Sequence, residues 1–220
     1  MRNRFDAELE RLGDALVDMG SMAEQALGDT IAALKDRDYD KARALIANAD
    51  RADQAERSIE SACLKLLLQQ QPVARDLRTI SAALKMVTDL ERIYDQAGDL
   101  AEICLRFEGQ EYIKEPTQIS QMADTAGEMV KQSIDAYVRR DTELALRVID
   151  RDDRVDELFT RVKNDLVDIL VRDHDRAKGD QVVDFLMIAK YIERIADHAV
   201  NIADWVIFSV TGEHRGGKVL

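Results

Sequence analysis

Apolar residues recur along the chain at alternating spacings of three and four. From Phe5 the stripe runs through Leu9, Leu12, Leu16, Met19, Ala23, Ala26, Thr30 and Ala33, which keeps one helix face turned toward neighbours. It predicts a first helix ending near Lys35-Asp36-Arg37-Asp38. A second stripe, Ala42, Leu45, Ile46, Ala49, Ala52, Ile59, Cys63 and Leu67, predicts a helix over 38–70. Gln71-Pro72 interrupts it, because proline restricts the residue before it and is tolerated at a helix start. A third helix is expected over 73–107, and the segment from Gly109 to Pro116 reads as a linker. The pattern then begins again, with helices expected over 118–140, 141–171 and 180–210 and a polar turn at 174–179. Residues 212–220, with Gly216-Gly217, read as a frayed tail.

The second half repeats the first. Leu90-Glu91-Arg92-Ile93-Tyr94-Asp95 matches Ile192-Glu193-Arg194-Ile195-Ala196-Asp197, 102 residues further on. Asp38 matches Asp141 and Asp53 matches Asp156 at an offset of 103. Matches that keep their order and nearly their offset point to an internal duplication. The expected fold is all-α: two antiparallel three-helix bundles, over 1–110 and 111–220.

Composition narrows the function. With 2 Pro in 220 residues and 5% aromatics, the chain lacks the turns of an all-β fold and has the aliphatic make-up of long helices. A net charge of −12 argues against nucleic-acid binding and favours cations or a basic protein surface. Cys63 and Cys104 each lie among aliphatic residues, which suits reduced core thiols. No apolar run follows the first residues and no stretch nears the ~18 needed to span a bilayer. The expectation is a cytoplasmic protein that meets membranes only through its partners.

The acids carry the candidate chemistry. Glu91 and Asp95 share a helix face one turn apart, as do Glu193 and Asp197. Leu84, Val87, Glu91, Asp95 and Gly98 form one stripe, so the carboxylates lie close to the inward face. Asp53 stands 19 residues before Pro72 and Glu91 stands 19 after it. In an antiparallel hairpin both lie about 28 Å from the turn, at one level. Asp152 and Asp156 form a further pair, opposite Glu193 and Asp197 across a turn centred near His174-Asp175. Clustered oxygens without His or Cys suit Mg²⁺, Ca²⁺, Mn²⁺ or iron. The other reading is a solvated acidic face offset by Arg51, Arg92, Arg154 and Arg194, and the residues alone leave both open. His198, next to Asp197, is a weaker candidate ligand; Tyr191, Trp205 and Phe208 are spaced like core contacts. There is no Gly-rich phosphate loop, nucleophile elbow or Glu-x-x-His pair, and the last absence opposes a ferritin-like di-iron oxidase.

Three segments carry a resemblance: Gln71-Pro72-Val73-Ala74-Arg75-Asp76-Leu77-Arg78, Asp89-Leu90-Glu91-Arg92-Ile93-Tyr94-Asp95 and Ile192-Glu193-Arg194-Ile195-Ala196-Asp197-His198. With them, residues 4–215 resemble the PhoU family of bacterial phosphate-transport accessory and regulatory proteins. The resemblance implies pseudo-twofold symmetry between the bundles and Glu/Asp-x-x-x-Asp motifs that bind multinuclear metal clusters. By position these are Glu91 with Asp95, Glu193 with Asp197, and Asp152 with Asp156. Ala49 stands where the family pattern has an acid, leaving Asp53 with Asp50 one position off, and Asn201 stands where the other half has Asp99. The implied function is negative regulation of the phosphate regulon, coupling a PstB-type transporter ATPase to a PhoR-type sensor kinase. A homodimer and divalent ions drawn from Mg, Mn, Fe, Zn and Ca are also expected, and no catalysis. The alternatives are a metal-dependent phosphohydrolase, with Arg92 and Arg194 near the ligands, and a metal-free helical scaffold.

Overall fold

A computed structural model of the chain describes residues 2–70, 72–173, 175–214 and 217–218. Gln71 and His174, at the centres of the two expected turns, lie outside them. The helices are α1 (Arg2–Lys35), α2 (Tyr39–Ala47), α3 (Asp50–Gln70), α4 (Ala74–Leu105), α5 (Thr117–Arg139), α6 (Thr142–Asp173) and α7 (Arg176–Thr211). A two-residue antiparallel pair, β1 (Glu213–His214) with β2 (Gly217–Lys218), follows α7. The all-α expectation holds. Among the described residues no helix is long and apolar enough to cross a membrane.

The expected helix over 38–70 is two helices. At the break, the Asn48 side-chain amide donates to the Ala44 carbonyl at 2.6 Å, an alternative to the helical ladder that asparagine readily supplies. The amides of Asn48 and Ala49 bond three residues back, to Leu45 and Ile46. Tyr94 of α4 fixes the break by donating its hydroxyl to the Asn48 carbonyl at 3.2 Å. Ala42, Leu45, Ala52 and Ile59 are buried on both sides of it, so the apolar stripe runs through in phase. Ala49, expected in that stripe, is exposed. At the second hairpin, α7 begins at Arg176, earlier than the expected 180, and the Gly179 amide already bonds to Asp175 at 2.9 Å. Asp141 caps α6 by accepting the Leu144 amide at 2.9 Å.

Helices α1, α4, α7 and α5 pack as a closed ring of neighbours, with α2 and α3 flanking α1 and α4 and α6 flanking α5 and α7. One continuous apolar core runs through both halves. Its symmetry shows at the α4–α7 seam. Gln96 Nε2 meets His198 Nε2 at 3.1 Å, and these residues are equivalent at the 102 offset, so equivalent positions touch as on a twofold axis. Asp89 accepts from Asn201 Nδ2 at 3.3 Å, and their equivalents Tyr191 and Asp99 lie near enough to interact electrostatically. His198 donates through Nδ1 to Asp89 at 2.8 Å, which leaves Nε2 to accept from Gln96.

The segment read as a linker is pinned to both halves. The Tyr112 hydroxyl donates to the Leu34 carbonyl at 2.7 Å, and its ring packs on Phe107 and on Phe185 of α7. The Ile113 amide donates to Gln181 Oε1 at 3.0 Å, and Lys114 pairs with Asp165 at 2.8 Å. The start of the expected frayed tail is docked as well: the His214 ring stacks on Phe208 at 4.6 Å and Nδ1 donates to Asp204. Residues 215, 216, 219 and 220 of that tail lie outside the described set. Cys63 and Cys104 are free and buried.

Close packing between the halves predicts one sensitive position. A Cβ added to Gly20 of α1 would lie 2.7 Å from Ile134 Cγ1 of α5, a methylene in the middle of a buried side chain. Gly20→Ala is expected to lower unfolding free energy by about 1–3 kcal/mol, read by chemical denaturation, and Ile134→Ala, which removes Cγ1, should cost less in that background than in the parent. A Gly20→Ala chain as stable as the parent would show that the helices separate freely there.

Candidate metal centre

Helices α3 and α4 run antiparallel from the Pro72 turn and bring Asp53, Glu91 and Asp95 together. One carboxylate oxygen from each lies within 4.8 Å of the others. Asp53 and Glu91 are half-buried and Asp95 is exposed. A fourth acid, which the sequence reading missed, is Glu56. It stands three residues after Asp53 on the same helix face, half-buried, and feels the charges of both Asp53 and Asp95. Its signal is that spacing; the repeat does not reveal it, because its equivalent 103 residues on is Phe159. Desolvation is the main cause that pushes Glu91 up to about 7, followed by the Asp95 carboxyl and then by Glu56 and Asp53. Glu56 is also raised, chiefly by burial and by Glu60. Arg57 reaches Asp53 at 3.5 Å with a side chain 77% exposed, a pair worth little in water.

The second half differs. Asp152 and Asp156 on α6 face Glu193 and Asp197 on α7 closely enough that burial first, then Asp197, Asp156 and Glu193, push Asp152 up to about 6. Their oxygens do not converge as tightly: among the described residues the trio of the first half is the group that meets the 4.8 Å spacing. Asp152 Oδ1 is buried without a hydrogen-bond partner. Glu193 forms an ion pair with Lys190 of its own helix. Asp197 is raised by burial and Glu193, against the pull of Lys190. His198 turns to Asp89 and Gln96 at the seam. Asp50 is exposed and stands outside the trio. Of the arginines expected to offset the acids, Arg154 pairs with Glu157 at 3.0 Å, and Arg51, Arg92 and Arg194 are exposed.

Three or four carboxylates from two helices, partly desolvated and with little compensating charge, fit a hard divalent cation. The unpartnered Asp152 oxygen fits the same chemistry in the second half. A cation would neutralise the repulsion that, after burial, helps raise Glu91 and Asp152.

Raised carboxyl groups set the pH dependence of the metal-free chain. Glu91 moves from the ordinary 4.5 to about 7 and Asp152 from 3.8 to about 6. Within those windows the folded chain holds protons that the unfolded chain has released, so stability falls as pH rises. Chelator-treated protein is expected to melt higher near the bottom of the Glu91 window than above its top, and Glu91→Gln should flatten that slope. A melting temperature that climbs through the window would contradict the desolvated cluster.

Residues 16–104 and 119–206 each match the PhoU domain. The chain is 38% identical over 213 residues to the phosphate-specific transport system accessory protein PhoU homolog of Clostridium acetobutylicum, covering 96% of each chain. It is 30% identical over 220 residues to the phosphate-specific transport system accessory protein PhoU of Escherichia coli (strain K12), covering 99% of this chain and 90% of that one. The crystal structure of PhoU from Pseudomonas aeruginosa superposes with a TM-score of 0.89 at 34% identity, over 94% of this chain and 99% of the other. The phosphate transport system regulatory protein PhoU from Streptococcus pneumoniae, at 23% identity and a TM-score of 0.87 over 96% of this chain and 98% of that one, shares the fold. With the domain present in both halves and these relatives aligned over nearly their full lengths, the chain belongs to the PhoU family.

Proposed function

We propose that this chain is an accessory and regulatory protein of a phosphate-specific transport system. It acts in the cytoplasm as a negative regulator of the phosphate regulon and couples a PstB-type transporter ATPase to a PhoR-type sensor kinase. It is not an enzyme: its relatives are named as accessory and regulatory proteins. The observation that carries the reading is the PhoU domain in both halves, on a helical frame that gathers Asp53, Glu91 and Asp95 at one level. Action is by docking. Helix faces bind the ATPase and the kinase, and the bound state favours restrained transport and a silent kinase. A divalent cation held by Asp53, Glu91 and Asp95, with Glu56 beside them, would tie α3 to α4 and neutralise the cluster. The second half would use Asp152, Asp156, Glu193 and Asp197. Occupancy biases docking only as far as partners bind the two states with different affinity. A homodimer would present each face twice.

Deleting the gene in its own host, with a reporter on a phosphate-starvation promoter, tests the reading. Expression in phosphate-rich medium is expected in the deletion strain, with repression restored by the intact gene. A reporter that stays repressed without the protein would overturn it.

A further inference from the structure

The two acidic clusters differ at two repeat-related places. Where the first half has Glu56 and Thr88, the second has Phe159, 103 residues on, and Lys190, 102 residues on. In the first half Thr88, whose hydroxyl donates to the Leu84 carbonyl at 3.5 Å, stands near Glu56, which adds a carboxylate beside the trio. In the second half a phenyl ring replaces that carboxylate and an ammonium replaces the hydroxyl. The Lys190 ammonium pairs with Glu193 and lies over the Phe159 ring, 5.5 Å from its centroid. Its charge reaches Asp197 as well. A lysine is a compact charge on a flexible stem, and an aromatic face holds such a charge in place. Among the described residues the first cluster has no counterpart: its cation contact is the long, exposed Arg57 pair.

We propose that Lys190 is a tethered counter-cation of the second cluster, held by Phe159, so that a divalent ion enters that cluster only by displacing it while the first cluster loads directly. This rests on the metal-binding reading above and adds to it an order of loading. A duplicated sequence then yields two affinity classes. The first half fills at low free ion. The second fills at higher free ion, when the lysine side chain, 43% exposed, swings into solvent. Chain-encoded asymmetry of this kind turns two copies of one motif into a graded response.

The test is Mn²⁺ titration of the full chain, by calorimetry and by the electron paramagnetic resonance signal of free Mn²⁺. It compares the parent, Lys190→Met and Phe159→Leu, with helical circular dichroism confirming each fold. The parent is expected to bind in two classes. Lys190→Met should tighten the weaker class about tenfold or more, a change equivalent to about 1.4 kcal/mol. It should leave unchanged the tighter class, which Glu91→Gln abolishes. Phe159→Leu should tighten the weaker class by a smaller factor. A single class in the parent, or a Lys190→Met isotherm that superimposes on it, overturns the inference and leaves the metal reading standing. No saturable binding by either protein removes the metal reading itself.

Discussion

Replacing Phe185 by Ala is expected to lower the unfolding free energy by about 3–5 kcal/mol. Phe185 is fully buried. Its ring centroid lies 4.7 Å from Phe107, at the end of the first half, and 5.8 Å from Tyr112 in the connecting segment. Aromatic contacts of this geometry add about 0.5–1.5 kcal/mol to simple burial. The cluster fastens the connection to α7, so its loss should also free residues 109–116 for limited proteolysis. Urea denaturation and a protease time course would measure the two effects. A loss below about 1 kcal/mol, with the connection still protected, would show that the two halves hold together without it.

Removing two charges from the first cluster should also have a large effect. Glu91→Gln with Asp95→Asn keeps the shape and leaves Asp53 without its partners. At a hundredfold excess of free ion over its dissociation constant, one site stabilises the native chain by about 2.7 kcal/mol. That metal-dependent rise in melting temperature is expected to shrink to what the second cluster supplies. The metal-free variant should be as stable as the parent or more stable, because Glu91 is held near 7 by burial and by its acidic neighbours. A variant that keeps the full metal-dependent rise would place the ion elsewhere. A metal-free variant that is markedly weaker would mean that the carboxylates serve the fold through bonds of their own.

Much of the frame was legible because helical periodicity records burial directly. Leu12, Leu16, Met19, Ala23 and Ala26 were read as one face, and all are buried. Equal counts from Pro72 predicted that Asp53 lies level with Glu91, and the two meet there. The break at Asn48 was not legible, because a side-chain amide bonding to its own backbone leaves the apolar stripe in phase. The early start of α7 was hidden by the polar residues and Gly179 of its first turn. The docking of His214 depends on Trp205 and Phe208 meeting it in space, which no local pattern records. Glu56 and Lys190 escaped for a different reason. A repeat reveals what its copies share, and these are the positions where the two copies diverge: an acid against Phe159, and a lysine against Thr88. Symmetry exposed the common chemistry and concealed the asymmetry.

A divalent cation is proposed on carboxylates of α3 and α4 of the duplicated helical frame. An anomalous difference map from crystals of the full chain soaked in Mn²⁺ tests it most directly. A peak is expected with Asp53, Glu91 and Asp95 oxygens at about 2.0–2.6 Å, the range of hard-cation bonds to carboxylates. No peak there at saturating Mn²⁺, with Asp53 still turned to Arg57, would contradict it.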